Sequence, residues 1–444
     1  MGALKVIVLA LVGALFFVWP IPHTVSASDL LLLLNLCLFG YLAWQQGWPR
    51  RSVHGLYLPA AVLAALTAWM YLVAFFVSPE TSWSLDEITS QWIRGLIALS
   101  VGVLVATTVS TNPDSMRKAL FVIFIALLLH VLYVDLETVY LWWRDQGIAR
   151  LAGLAEGPDK SNYLTNLLFG FLLAESFLRI SRGKRLLPFG NGILLTTLVL
   201  AVTAEFAERT RNGIFTLVLM LLMLSALYLA EQGKRLKKSA VVAGVVTMWL
   251  LVVAGLGLVV AARQSSSLDN LIGTVSIAWD TEHYKAWQGD GREAWPMLPG
   301  GETVDPSVYQ RVAWLKEGLL LVAQHPLGIG FGRNAFGHGL KAKYGEGSGH
   351  SHSGLLDLAI GVGIPGALLW LGFIVSLMRL AWKQYRATHS YVALLLLLVL
   401  TDYGARMLLD SIMRDHMLQQ FMFLTGLTAV MMVAESPEKR RPAS

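Results

Sequence analysis

The run His350-Ser351-His352-Ser353-Gly354-Leu355-Leu356-Asp357 sits on a boundary. Before it, from Arg263 to Ser351, about ninety residues are predominantly polar. After it, residues 354–379 are almost wholly apolar, longer than the ~20 residues a helix needs to cross a bilayer. Working outward, the chain repeats the second kind of sequence over 4–22, 29–46, 57–78, 91–110, 118–141, 162–181, 191–207, 212–231, 239–262, 390–409 and 417–434. The least regular of these are 191–207, which is short, and 390–409, which carries Asp402 and Arg406. The reading is an all-α polytopic membrane protein of about twelve transmembrane helices, with one large loop subdomain between helices 9 and 10. Its parts are a membrane domain over 1–262, the loop subdomain over 263–351, a second membrane part over 352–434 and a cytoplasmic tail over 435–444. No internal repeat divides it further.

Composition agrees. Of 444 residues, 55% are hydrophobic and 14% charged, against about 25% charged in soluble chains; mean hydropathy is +0.58. A net charge of +6 could suggest nucleic acid, but the basic residues are not gathered on one surface. Arg50-Arg51, Arg117-Lys118, Arg182 with Lys184 and Arg185, Lys234 to Lys238, Arg379 with Lys383 and Arg386, and Lys439-Arg440-Arg441 fall at alternate connections. That is the positive-inside pattern. It puts both termini in the cytoplasm, sets membrane lipids as partners and leaves nucleic acid out. The other connections, including the loop subdomain, face the opposite side. Val25-Ser26-Ala27 resembles a signal-peptide cleavage site, but the next segment is itself a span, so a retained first helix is favoured. The single cysteine, Cys37, lies in an apolar run, so no intramolecular disulfide supports the loop.

Within the loop, Asp305-Pro306-Ser307 can start a helix over about 307–324, closed by His325-Pro326. Val308, Val312, Leu315, Leu319 and Val322 give it one apolar face, suited to lie on a membrane with Arg311 turned to a cleft. Leu327-Gly328-Ile329-Gly330-Phe331-Gly332 lacks the strand and Gly-Lys-Ser/Thr ending of a phosphate loop. It reads as a flexible turn, and the glycines between 345 and 349 as the hinge of a lid.

His352 can accept a proton near neutral pH, or simply cap a helix. His350 raises a metal reading, but two histidines without a third ligand do not make a zinc site, so no metal is expected. The pairs Asp135/Glu137 and Asp280/Glu282 are too short and common to change that. Arg209-Thr210-Arg211-Asn212 lies between two apolar spans. Its arginines either pair with Glu205 and Glu208 or present planar guanidinium donors to phosphate. Arg150, Lys160 and Asn162 lie on the same side, and Arg406 and Arg414 flank Asp410 as internal ion pairs or as the far wall of a cavity. Trp142, Trp143, Trp287 and Trp295 read as interface anchors.

Taken together these pieces resemble the O-antigen ligase family, which belongs with the O-antigen polymerases and related oligosaccharide transferases and has a GT-C-like arrangement of helices. His352-Ser353, followed nine positions later by Gly363-Ile364-Pro365-Gly366, fits the family's His, small polar residue, nine positions, Gly-x-x-Gly pattern. His325-Pro326-Leu327-Gly328-Ile329-Gly330 with Asn334-Ala335-Phe336 resembles its His-Pro-x-x-Gly-x-Gly stretch. Arg211-Asn212-Gly213, Arg150-Leu151 and Arg311 with Trp314 resemble further elements, the last with a spacing one residue shorter than usual. The resemblance implies an inner-membrane glycosyltransferase working at the periplasmic face. It would move O-antigen from undecaprenyl diphosphate to lipid A–core, with inversion and without metal or cofactor. His352 is then the base, Arg211 and Arg311 serve the diphosphate, and Arg209, Arg150, Lys160 and His350 support substrate binding. An O-antigen polymerase is the near alternative. A secondary transporter is the alternative of another class, with Glu175 and Asp402 as its intramembrane charges.

Overall fold

The computed structural model describes every residue except 1, 47–53, 111, 146–149, 233–267, 290–292, 346–348 and 436–444. Its elements are α1 (Gly2–Val18), α2 (Val25–Gln46), α3 (Tyr57–Phe76), α4 (Thr81–Val109), α5 (Pro113–Trp143), α6 (Pro158–Arg182), α7 (Asn191–Glu208) and α8 (Arg211–Gln232). They continue as α9 (Leu268–Trp279), α10 (Pro306–Gln324), α11 (Ala335–Tyr344), α12 (Gly354–Thr388), α13 (Tyr391–Leu409) and α14 (Asp415–Ala434). Among the described residues, ten helices are long and apolar enough to cross a membrane. The chain is an all-α polytopic membrane protein. Both irregular segments, 191–207 and 390–409, are full helices. The expected span over 239–262 lies outside the described residues.

Local chemistry sets the helix ends. Asn112 accepts from the Asp114 amide at 2.8 Å ahead of Pro113, and Asp305 accepts from Ser307 and Val308 ahead of Pro306, in each case using donors that a first turn leaves unpaired. α4 begins ten residues before its expected start and contains one π-helical turn over Ile88–Ile93, a feature frequent at functional sites. α13 and α14 form the centre of the bundle, with about four-fifths of their apolar windows buried. α14 crosses α4 at two glycines: a Cβ on Gly102 would strike the Phe423 carbonyl, and one on Gly426 the Leu99 carbonyl. Small residues allow this close backbone approach in membranes.

The polar insertion has its own core, in which Trp287, Tyr309, Trp314, Leu321, Phe336 and Leu340 pack on Leu356 and Ile360 of α12. Trp287 is therefore a core residue rather than an interface anchor; its indole donates to the Thr281 carbonyl. Trp142 and Trp143 are exposed, as anchors must be. α10 follows the expected boundaries and leaves Leu315 and Leu319 exposed, while its neighbouring stripe, Tyr309, Ala313, Trp314 and Leu321, packs inward.

The glycine stretch at 327–332 differs from the flexible turn expected. The Ile329 and Gly330 amides donate to the Gly361 carbonyl and the Ile364 amide donates to the Pro326 carbonyl. This pins the loop into a break in α12, where Gly363 has φ 70° and ψ 180°, a backbone region essentially reserved for glycine. A Cβ there would overlap the backbone of Pro326 and Leu327. Gly363→Ala should therefore destabilise by about 1–3 kcal/mol from the backbone alone, with the overlap added. Thermal unfolding of the detergent-purified variant checks this, and an unchanged midpoint would contradict it.

Candidate active site

A cavity of about 710 Å³ opens where α1 turns into α2, α6 begins and α13 turns into α14. One side carries the sequence's histidines. His352 has a left-handed backbone, φ 57°, and its ring lies parallel to the Trp314 indole at 5.3 Å. Trp314 is fixed in turn by donating to the Trp287 carbonyl. The His350 ring stands 4.5 Å from that of His352, and Arg414 donates to His350 Nε2 at 3.3 Å. The residue between them, Ser351, gives its amide to Asp357 at 2.9 Å. Asp357 also accepts from the Ser411 hydroxyl, and Gly354 donates to the Asp410 carbonyl. The histidine loop is thus attached to the α13–α14 turn at several points.

Burial, then the charges of Arg414 and His352, pushes the His350 imidazole down to about 3. Burial is also the first cause lowering His352, followed by Arg311; the Asp159 carboxylate opposes them. An imidazole kept below its ordinary value is unprotonated at neutral pH and free to take a proton.

The cations beside these rings are Lys160, Arg333 and Arg414. Lys160 spans Glu156 at 2.6 Å and Asp415 at 3.2 Å. Arg333 meets Glu87 through both its side chain and its amide, which docks the insertion on the first turns of α4. Stacking of His338 on Trp83 at 3.9 Å reinforces that junction. Arg414 has no carboxylate at ion-pair distance among the described residues, so its charge is left for a ligand.

Of the residues singled out from sequence, His352, His350 and Lys160 line the cavity. Arg150 reaches its wall by pairing with Asp159 at 3.2 Å. Arg311 lies near enough to His352 to act on its protonation. Arg209 and Arg211 are exposed and do not line the cavity; Asn212, next to Arg211, donates to the Leu409 carbonyl, which places the pair on the same end of the bundle. The ion pairs of these arginines with Glu205 and Glu208 do not form among the described residues. Both carboxylates turn inward to Asn162, at 2.8 and 2.9 Å, while Arg209 caps α7 in the left-handed region with its side chain outside. Arg414 is likewise no internal ion pair. Sequence reasoning missed Arg333, although it directly follows the glycine stretch, and missed Gln91, which no motif marks. Among the described residues, no three His, Cys, Asp or Glu side chains converge in a metal-ligating group.

Residues 196–371 match the family described as O-antigen ligase. Over this stretch, about two-fifths of its length, the chain is similar to the O-antigen ligase family. The match takes in α7, the insertion and the α12 break, and with them Arg211, Arg311, Arg333, His350 and His352. The remaining walls of the cavity, from α1, α4, α6 and α14, lie outside it. No curated protein matches the chain. The match supports a function of the O-antigen ligase or polymerase type in general, one that implies lipid-linked glycans and membrane lipids as partners.

Proposed function

We propose that the protein ligates O-antigen from undecaprenyl diphosphate onto the lipid A–core oligosaccharide at the periplasmic face of the bacterial inner membrane. The observation that carries this is the half-buried His352 imidazole, stacked on Trp314, at the wall of a cavity that also gathers Lys160, Arg333 and Arg414 at one end of a membrane bundle. An acceptor sugar hydroxyl attacks the anomeric carbon and gives its proton to His352. The anomeric C–O bond breaks in the same displacement, inverting the carbon, and the electron pair leaves on undecaprenyl diphosphate. The charge growing on that leaving group is met by Arg414, Arg333 and Lys160. Arg311 stands beside the base, and Arg211 with Arg209 and Arg150 meets the diphosphate from the rim. Fixed cations aimed at developing charge are worth about 10²–10³ in rate each.

The reading is supported by the alternating basic connections, which put the insertion end outside. Of the two intramembrane acids that a transporter would draw on, Glu175 gives it little support, being closed off by Arg179 at 2.7 Å and by the Leu186 and Leu187 amides. The test is product analysis with protein in nanodiscs, undecaprenyl diphosphate-linked O-antigen and lipid A–core. Glycan on lipid A–core is the expected product, and Arg414→Gln should lower kcat/KM about 10²–10³-fold, Arg211→Ala less. Glycan appearing only on a longer polyprenyl chain would make the protein a polymerase. Flux into liposomes without covalent change would make it a transporter.

A further inference from the structure

The cationic side chains occupy one half of the cavity. The other half is formed by the α1–α2 turn, the π-helical turn of α4 and the first turns of α14. Its charges are already paired, Arg94 with Asp29 at 2.8 Å and Asp415 with Lys160 at 3.2 Å. What it carries instead is uncommitted hydrogen-bonding capacity. The Trp19 indole N–H and His416 Nε2 are buried without any partner. Gln419 makes no side-chain hydrogen bond among the described residues, and Gln91 uses only its Oε1, which accepts from the Asp415 amide at 2.7 Å. All four side chains are at least nine-tenths buried, and all four line this one cavity.

They also converge. His416, Gln419 and Phe423 follow one another at three and four residues along a single face of α14, and the Trp19 ring rests edge-on against Phe423 at 6.1 Å. Gln91 is held to the N-terminus of α14 by its bond to Asp415. The turn that carries Trp19 is itself fixed, since Thr24 donates to both the Val18 and Ile21 carbonyls. Buried polar groups are rarely left without partners, and two such groups, with the free Gln91 amide N–H and the Gln419 amide beside them on one cavity, point to a ligand that supplies the missing bonds. An apolar chain would leave them unsatisfied. A phosphate would favour the opposite wall.

We propose that this wall is the subsite for the sugar ring next to the diphosphate in the donor lipid, a reading that rests on the glycosyl-transfer function above. The ring's hydroxyls accept from Trp19 and Gln91 and exchange bonds with Gln419 and His416, while the diphosphate lies against Arg414, Arg333 and Lys160. A cavity of about 710 Å³ is of the size that holds a small ligand, so it takes the diphosphate and the first sugar and leaves the rest of a long glycan outside. The pairing of a neutral wall with a charged one gives the site a means to select the donor's first sugar separately from its lipid.

Two probes separate the halves: undecaprenyl diphosphate alone, and the same lipid carrying one sugar, each titrated into nanodisc-embedded protein. Wild-type protein should prefer the sugar-bearing lipid by about tenfold or more. Trp19→Phe keeps an aromatic ring while losing the indole N–H together with the five-membered ring, and Gln419→Leu keeps about the same volume and loses the amide. Each should reduce that preference about three- to tenfold, with affinity for the bare lipid unchanged within about twofold. Arg414→Gln should weaken both lipids alike. The subsite is overturned if both wall variants retain the wild-type preference, or if they weaken the two lipids equally. Failure of wild-type protein to bind either lipid would instead bring down the glycosyl-transfer reading.

Discussion

Replacing His352 with alanine should reduce transfer by about 10²–10⁴-fold in kcat, the range that a positioned general base supplies, while the purified protein keeps its elution profile. His352→Gln should be as inactive, since an amide has the shape but not the basicity. The pH dependence gives the finer test. The base must be unprotonated, so activity falls as pH drops through the folded value of His352. Burial and the Arg311 charge hold that value below the ordinary ~6.5, so the acid limb of kcat/KM lies below 6.5. Arg311→Gln removes one of the charges that oppose protonation and should move the limb upward, towards 6.5. A limb that stays in place in Arg311→Gln, or substantial activity in His352→Gln, would remove His352 from the chemistry.

The fold was legible because its decisive signal is one-dimensional. Runs of apolar residues at bilayer length, alternating with basic connections, do not depend on tertiary context, and even the irregular segment 390–409 is a helix. The histidine loop was also legible, since it lies at the edge of such a run. The cavity's other walls were not. Arg414 reads like an ion-pair partner of Asp410 four residues earlier, and only the path of the chain through the α13–α14 turn shows that it faces His350 instead. Glu205 and Glu208 fall at a spacing that suits pairing with Arg209, but the left-handed cap at Arg209 turns the arginine out and leaves the acids inside. Trp19, Gln91, His416 and Gln419 come from three distant segments without a motif. Nothing in the linear order says that they share a wall.

The two inward acids carry the second large prediction. Arg406 is fully buried. It donates to the Asn162 carbonyl oxygen and to the Asp159 carbonyl at 3.3 Å, with Asp410 at 3.9 Å. Asn162 passes the connection on by donating to both Glu205 and Glu208, and Glu208 also accepts from Ser161 and Thr165. One guanidinium thus sits among the buried acids of α7 and α13, in a membrane where no bulk water is at hand. Arg406→Leu should cost about 3–5 kcal/mol, the usual consequence of stripping one partner from a buried charge network, seen as poor yield and a lower unfolding temperature in detergent. If uncompensated acid is the cause, Arg406→Leu combined with Glu205→Gln and Glu208→Gln should recover much of the loss, because neutral amides of the same shape need no cation. Activity should recover less than stability does, since the Asp159 carbonyl that Arg406 holds adjoins Lys160 in the cavity wall. An Arg406→Leu protein as stable as wild type would show that α6, α7 and α13 are held together by packing alone.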